Sequence, residues 1–294
     1  MPQDMNKEEN RVLKGIISVF RRSRSATVGI MLVLIITMVA VLAPYIAPHD
    51  PLALDMTIRR EPPGTPGHLL GTDNMGRDLL SRIIWGSRIS IQVGIVATGI
   101  GIVLGTVIGL LAGFYRGAIE TILLRLIDIL ICFPTLLLAL AIVAILGPAM
   151  GNVMIAVGVT QAPRFARIVR SSVLSVREME YVESANAMGA SSLRVMFRHL
   201  LPNALTGAVV FATLSVGAAI LTEATLSFLG LGVPPPTPTW GNIVAEGRRF
   251  LLDSPWITVF PGLAIMVTVF GFNFFGDGLR DALDPRLRGE RDVQ

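Results

Sequence analysis

Apolar residues lie along this chain in long uncharged blocks divided by short polar ones. Residues 26–43 form one such block of 18, enough for a membrane-spanning helix, and Pro44 and Pro48 end it. Further blocks at residues 89–114, 121–146, 152–161, 204–229 and 256–275 predict five more spans. Pro134 places a kink in the third, and residues 147–151 form a tight turn after it. The fourth block is short and borrows length from both sides. Arg164, Arg167 and Arg170 follow it at three-residue steps, as on a helix leaving the lipid. Between the first two spans, residues 45–88 are polar, and Pro51, Pro62, Pro63 and Pro66 rule out a long helix in their first half. In the second half Leu79, Leu80, Ile83 and Ile84 recur at helical spacing among Arg77, Arg82 and Arg88, with Trp85 beside them. That pattern predicts an amphipathic helix lying on the membrane surface. The fold class is all-α and integral to the membrane, with six transmembrane helices.

Composition agrees. Of 294 residues 52% are apolar and only 16% charged, against about a quarter charged in an average soluble domain. The mean hydropathy is +0.65. A sequence pI near 9.8 could suggest nucleic acid, but the basic residues cluster beside the apolar blocks, where they orient the chain in the bilayer. With both termini cytoplasmic, eighteen of the 25 Lys and Arg fall inside and seven outside, which satisfies the positive-inside rule. The one cysteine, Cys132, lies in an apolar run and allows no intrachain disulfide. The first 25 residues are polar and basic and show no cleavable signal peptide. The organisation is a cytoplasmic tail (1–25), a first span (26–44), an outer loop (45–88), a five-helix core (89–276) and a cytoplasmic tail (277–294).

Several residues invite a function. Gly101, Gly105, Gly109 and Gly113 stand at strict four-residue steps and predict close helix–helix packing rather than a ligand site. Arg125 and Asp128 are three apart near a membrane edge and could pair as an anchor. Glu223 is the single charge in the fifth span, hence a candidate gate or path residue; a few residues before Gly230, it could equally reach the interface. His49, His68 and His199 are scattered, without carboxylate or cysteine partners at metal-ligand spacing, and read as loop or packing residues, with no metal site. No GxxxxGK[ST], HExxH or GxSxG motif occurs, so nucleotide binding of that kind and hydrolase chemistry are absent. Charges within the spans are too few for a proton relay, and energy must come from a partner.

Residues 175–202 are charged and helix-prone, yet lie between two apolar blocks. Ser175 and Glu178 form a capping-box signal for one helix; Gly189 suits its left-handed end; Ser191 or Ser192 can cap a second helix that Pro202 delimits. Glu183-Ser184-Ala185, Gly189 and Leu201-Pro202 resemble the EAA loop of ABC-importer permeases, with Ser184 for the first Ala and His199 at the Ile position. Residues 71–82 (GTDNMGRDLLSR) and 276–289 (GDGLRDALDPRLRG) resemble the dipeptide/oligopeptide/nickel branch of that family, its C-type subunit.

The resemblance implies a type I ABC importer permease fold. It further implies a heterodimer with a homologous permease, two ATP-binding subunits carrying ATP and magnesium, and an extracytoplasmic substrate-binding protein, all in a bacterial inner membrane. The chain itself would be non-catalytic and hold no cofactor. Its loop would be a coupling helix, with Met179, Tyr181, Val182 and Met188 as an apolar docking surface, Glu183 as polar anchor, Ala185 permitting close approach and Gly189 making the turn. Peptide is the first expectation for cargo, with nickel or glutathione as alternatives. Residues 71–82 either contact substrate or pack over the outer mouth. The rival classes are a self-contained channel or secondary transporter, and a structural scaffold.

Overall fold

A computed structural model describes residues 23–283; the basic segment before residue 23 and the end of the 276–289 motif lie outside the described residues. Ten α-helices, and no strand, are found among them. In chain order they are α1 (Arg24–Ile46), α2 (Leu79–Phe114), α3 (Ala118–Cys132), α4 (Thr135–Leu146), α5 (Met150–Arg177), α6 (Glu180–Ala187), α7 (Ser192–Val195), α8 (Leu201–Phe228), α9 (Trp240–Gly247) and α10 (Trp256–Leu283).

By length and composition α1, α2, the run from Ser192 to Phe228 and α10 can cross a membrane, and α3 with α4 supplies a fifth crossing if that bent pair counts as one. By this measure the apolar block at residues 152–161 does not register as a span of its own. The difference lies in α5, whose 28 residues include Arg164, Arg167, Arg170 and Arg177. Its apolar residues Val153, Ala156, Val157, Phe165 and Val169 are wholly buried against other helices. A helix enclosed by protein needs no apolar surface all round, so hydropathy underrates it. The contrast is α1, apolar all round, with Met31, Leu34, Met38 and Val41 exposed along its length.

Some boundaries move. Pro44 sits inside α1, in its last turn, and the helix starts at a Ser23 cap (Ala26 N–H to Ser23 Oγ, 3.3 Å). The expected surface helix at residues 79–88 does not lie flat: it is the first part of α2, continuous with the second span. Asp78 caps it by accepting from Ser81 N–H at 2.8 Å. The kink at Pro134 is a full break, with α3 and α4 at 95°. The last span runs on through Gly276 to Leu283 instead of ending at Phe275.

The centre of the bundle is the seam between α2 and α5. A Cβ at Gly109 would lie 2.9 Å from Val169 Cβ, and one at Gly113 would lie 2.7 Å from Val173 Cγ1. Gly101 and Gly105 meet Gln161, Ala162 and Phe165 in the same row, and Gly158 returns the favour against Ile100. Removing side chains from one face lets the two backbones approach and gain dispersion contacts that lipid would otherwise supply. Helix α8 lies against α2, α5 and α10, and α10 carries α1.

Candidate functional site: an elbow at one end of the bundle and a charged knot at the other

Helix α2 spans about 54 Å at 1.5 Å per residue, more than a bilayer's hydrocarbon core of about 30 Å. Its two ends therefore mark two sides of the bundle. The segment Met179–Leu200 sits at the C-terminal end, where Arg177 Nη1 donates to Phe114 O at 2.7 Å.

The capping box is not used. Ser175 lies within α5, its hydroxyl 3.2 Å from Ser171 O, and α5 ends at Arg177. A serine hydroxyl that bonds back to the carbonyl four residues earlier continues a helix rather than starting one. Helix α6 begins at Glu180, and its N-cap residue, Met179, supplies no side-chain cap. It ends in a turn at Gly189, where φ is +79°, the left-handed region that favours glycine. Ser191 caps α7 by accepting from Arg194 N–H at 3.4 Å. Pro202 does not stop the chain: residues Met196–Leu200 form one wide π-turn, and Pro202 falls in the first turn of α8. There its missing N–H goes unneeded, so α7 is joined to the span by helix throughout.

The docking assignments divide. Met179, Tyr181, Glu183 and Met188 are exposed, Met188 at 82%. Val182 and Ala185 are not part of an outward face. Both are buried, Val182 in one cluster with Val176, Val195, Met196 and Leu200. Val182 and Ala185 stand three apart, the spacing of one helical stripe, and that stripe is what fastens the elbow to the bundle. Tyr181 lies 3.3 Å through its hydroxyl from Asn203 Nδ2, which also donates to His199 O at 2.8 Å. The His199 ring sits 6.0 Å from that of Tyr181. Arg170 donates to Glu120 at 2.5 Å and Arg167 to Asp128 at 3.0 Å, tying α3 to α5. Asp128 thus pairs across helices, and not with Arg125 as the three-residue spacing suggested.

At the N-terminal end of α2 a charged knot is buried. Asp73 Oδ2 accepts from Arg77 Nε at 2.6 Å and from Arg82 Nη1. Glu246 Oε2, on α9, accepts from Arg77 Nη2 at 2.6 Å and from Arg82 Nη1 at 2.8 Å. Asp73 Oδ1 also accepts the N–H groups of Met75 and Arg77. Two cations and two carboxylates cancel, the condition for burying either sign. Residues 71–82 therefore pack within the chain. A cleft of ≈ 710 Å³ opens beside Glu246, lined by Asn74, Phe228, Arg248, Arg249 and Phe250. Arg248 lies over the Phe228 ring at 5.0 Å and Arg60 over Phe250 at 5.2 Å.

Glu223 does not reach an interface. It is wholly buried in α8, and Ser227 Oγ donates to it at 2.7 Å. His49 and His68, read as scattered, are brought together: their rings stack at 4.7 Å, and both face Asp78. Three chain segments converge there, a closure that linear spacing cannot reveal. The role of Glu246 was likewise unseen, although two arginines opening an apolar helix do call for carboxylates somewhere.

Comparison with known proteins shows the family. Residues 105–289 fit the family described as binding-protein-dependent transport system inner membrane component. Residues 13–63 fit the N-terminal TM domain of oligopeptide transport permease C. A putative peptide transport system permease protein of Brucella suis is 48% identical over 269 residues, 92% of this chain and 90% of that one. The dipeptide transport system permease protein of Haemophilus influenzae is 43% identical (92% and 93% covered). The glutathione transport system permease protein of Pectobacterium atrosepticum is 44% identical (92% and 89%). Among solved structures, inward-facing forms of a methionine ABC transporter share the fold, with a TM-score of 0.58 at 20% identity, covering 69% of this chain and 97% of that one. An amino acid ABC transporter gives 0.52 at 15% identity, covering 67% and 91%. The chain belongs to the binding-protein-dependent transport system inner membrane component family and is the non-catalytic membrane permease subunit of an ABC importer, whose ATP hydrolysis is carried by separate subunits.

Proposed function

We propose that this chain lies in a bacterial inner membrane, crosses it six times with both termini cytoplasmic, and pairs with a homologous permease. Between them runs the path for di- or oligopeptides delivered by a substrate-binding protein. Two ATP-binding subunits sit beneath, one of them receiving the elbow. The carrying observation is the elbow itself, on which Met179, Tyr181 and Met188 are apolar and exposed, as is Glu183, while Val182 and Ala185 are buried against the bundle. Apolar side chains exposed at a fixed helical turn are the form that helix-in-groove recognition takes. The relatives' names supply the cargo class. A glutathione importer is the second reading, supported by the Pectobacterium relative; glutathione is itself a tripeptide, and the same path would serve.

The mechanism follows from how the elbow is attached. Val182, Val195, Met196 and Leu200 pack in one cluster with Leu110 of α2, Val173 of α5 and Ala204 of α8. Close-packed interiors transmit displacement instead of absorbing it. When the ATPases close, a pull on the elbow swings α5 and α8 as rigid bodies and changes which side the path faces.

Reconstitution of the complete complex in liposomes tests this. Uptake of a labelled dipeptide is expected to require ATP, the ATPase subunits and the binding protein together. A channel or ion-driven transporter instead gives flux from this chain with its permease partner alone, and such flux would refute the proposal.

A further inference from the structure

We infer that His49, His68 and Asp78 form a binding site for a zinc-like divalent transition metal, which clamps the chain after α1 to the start of α2. The three donor atoms lie within 4.8 Å of one another. His68 Nδ1 is 2.9 Å from Asp78 Oδ1, and His49 Nδ1 is 3.7 Å from Asp78 Oδ2. Ligands about 2.0–2.1 Å from a tetrahedral zinc stand roughly 3.4 Å apart; each histidine lies near that distance from one of the two Asp78 oxygens, and no pair of donors has to close from more than 4.8 Å.

The donors are also held from behind. The Asp78 side chain is 1% exposed and fixed by the Ser81 N–H. The same Ser81 accepts the His49 N–H through its hydroxyl at 2.9 Å. His68 closes the turn that begins at Thr65, its N–H on Thr65 O at 2.8 Å. The bond to Asp78 orients that ligand as outer-shell bonds do, and the two histidine bonds fix the backbone from which the rings project. The His68 and Asp78 side chains are nearly enclosed while His49 is 40% exposed, which leaves an entry side and room for a water as fourth ligand. Two imidazoles and one carboxylate suit zinc, nickel or copper and poorly suit magnesium or calcium, which take oxygen ligands. On binding, His68 gives up its hydrogen bond to Asp78 and both rings carry their remaining proton on Nε2. The role is a cross-link of three segments, distinct from any cargo in the central path.

Titration of Zn²⁺ into the assembled, tag-free transporter after chelator treatment tests the site by calorimetry. One zinc per copy of this chain is expected, with a rise in thermal midpoint and no such binding of Mg²⁺. His49→Ala and His68→Ala are each expected to weaken binding by at least about 100-fold and to remove the thermal shift. Should His68→Ala fail to assemble, His49→Ala decides, because its ring is half-exposed and helps hold little else. Absence of a saturable site in the wild type, or unchanged affinity in His49→Ala, overturns the inference.

Discussion

Replacing Asp73 by alanine is expected to lower the stability of the folded chain by about 3–5 kcal/mol, the cost of leaving buried charge without its partner. Asp73 is wholly buried, and its two oxygens take both guanidinium groups of Arg77 and Arg82 and two backbone N–H groups. Without it, two cations share only Glu246, and Arg82 already has one buried donor, Nε, with no partner among the described residues. The comparison is Asp128→Ala, which breaks the pair with Arg167, where both side chains are more than half exposed (52% and 55%). That pair is worth about 0–1 kcal/mol. Thermal midpoints of the two variants in detergent should therefore separate clearly, with Asp73→Ala depleted in the membrane and Asp128→Ala near wild type. Equal midpoints would mean that the knot is not what holds the start of α2 to α9.

The second large effect concerns coupling and not folding. Met188→Asp is expected to leave assembly of the bundle intact, since Met188 is 82% exposed and lies outside the packed clusters. It places a charge where an apolar side chain would enter the ATPase groove. Central interface anchors contribute 2 kcal/mol or more, so substrate-stimulated ATP hydrolysis should fall by about 30-fold or beyond. Val182→Asp should behave differently: it buries a charge against Val176 and Val195 and so removes the folded elbow itself. Measuring membrane yield beside ATPase rate separates the two. A Met188→Asp variant with normal stimulation would exclude this side chain from the contact.

Local signals in the sequence proved legible where the physics is local. The glycine row at 101, 105, 109 and 113 declares a close helix contact because four-residue steps share one face, and α5 occupies that face. Gly189 and Ser191 declare the elbow's turn and second cap for the same reason. Ser175 was misleading: α5 has no stop before it, and a serine inside an uninterrupted helix bonds backwards. Pro202 misled because a widened turn ahead of it absorbs the proline, a device with no sequence signature. Arg82 looked like a surface residue because its carboxylate partners, Asp73 and Glu246, stand 9 and 164 positions away. The histidine–aspartate cluster depends in the same way on how residues 47–78 fold back on themselves. On α6, Val182 and Ala185 are an apolar pair three apart, and such a stripe on a short exposed helix turns inward.

The central claim is that the exposed elbow, Met179 to Met188, meets an ATPase, and a photoreactive benzoylphenylalanine at position 188 of the assembled transporter tests it most directly. Illumination should yield one adduct with the mass of this chain plus an ATP-binding subunit, while the same group at Met38, exposed on α1, should give none. An intact complex that forms no ATPase adduct from position 188, or that forms one with the substrate-binding protein instead, would contradict the account.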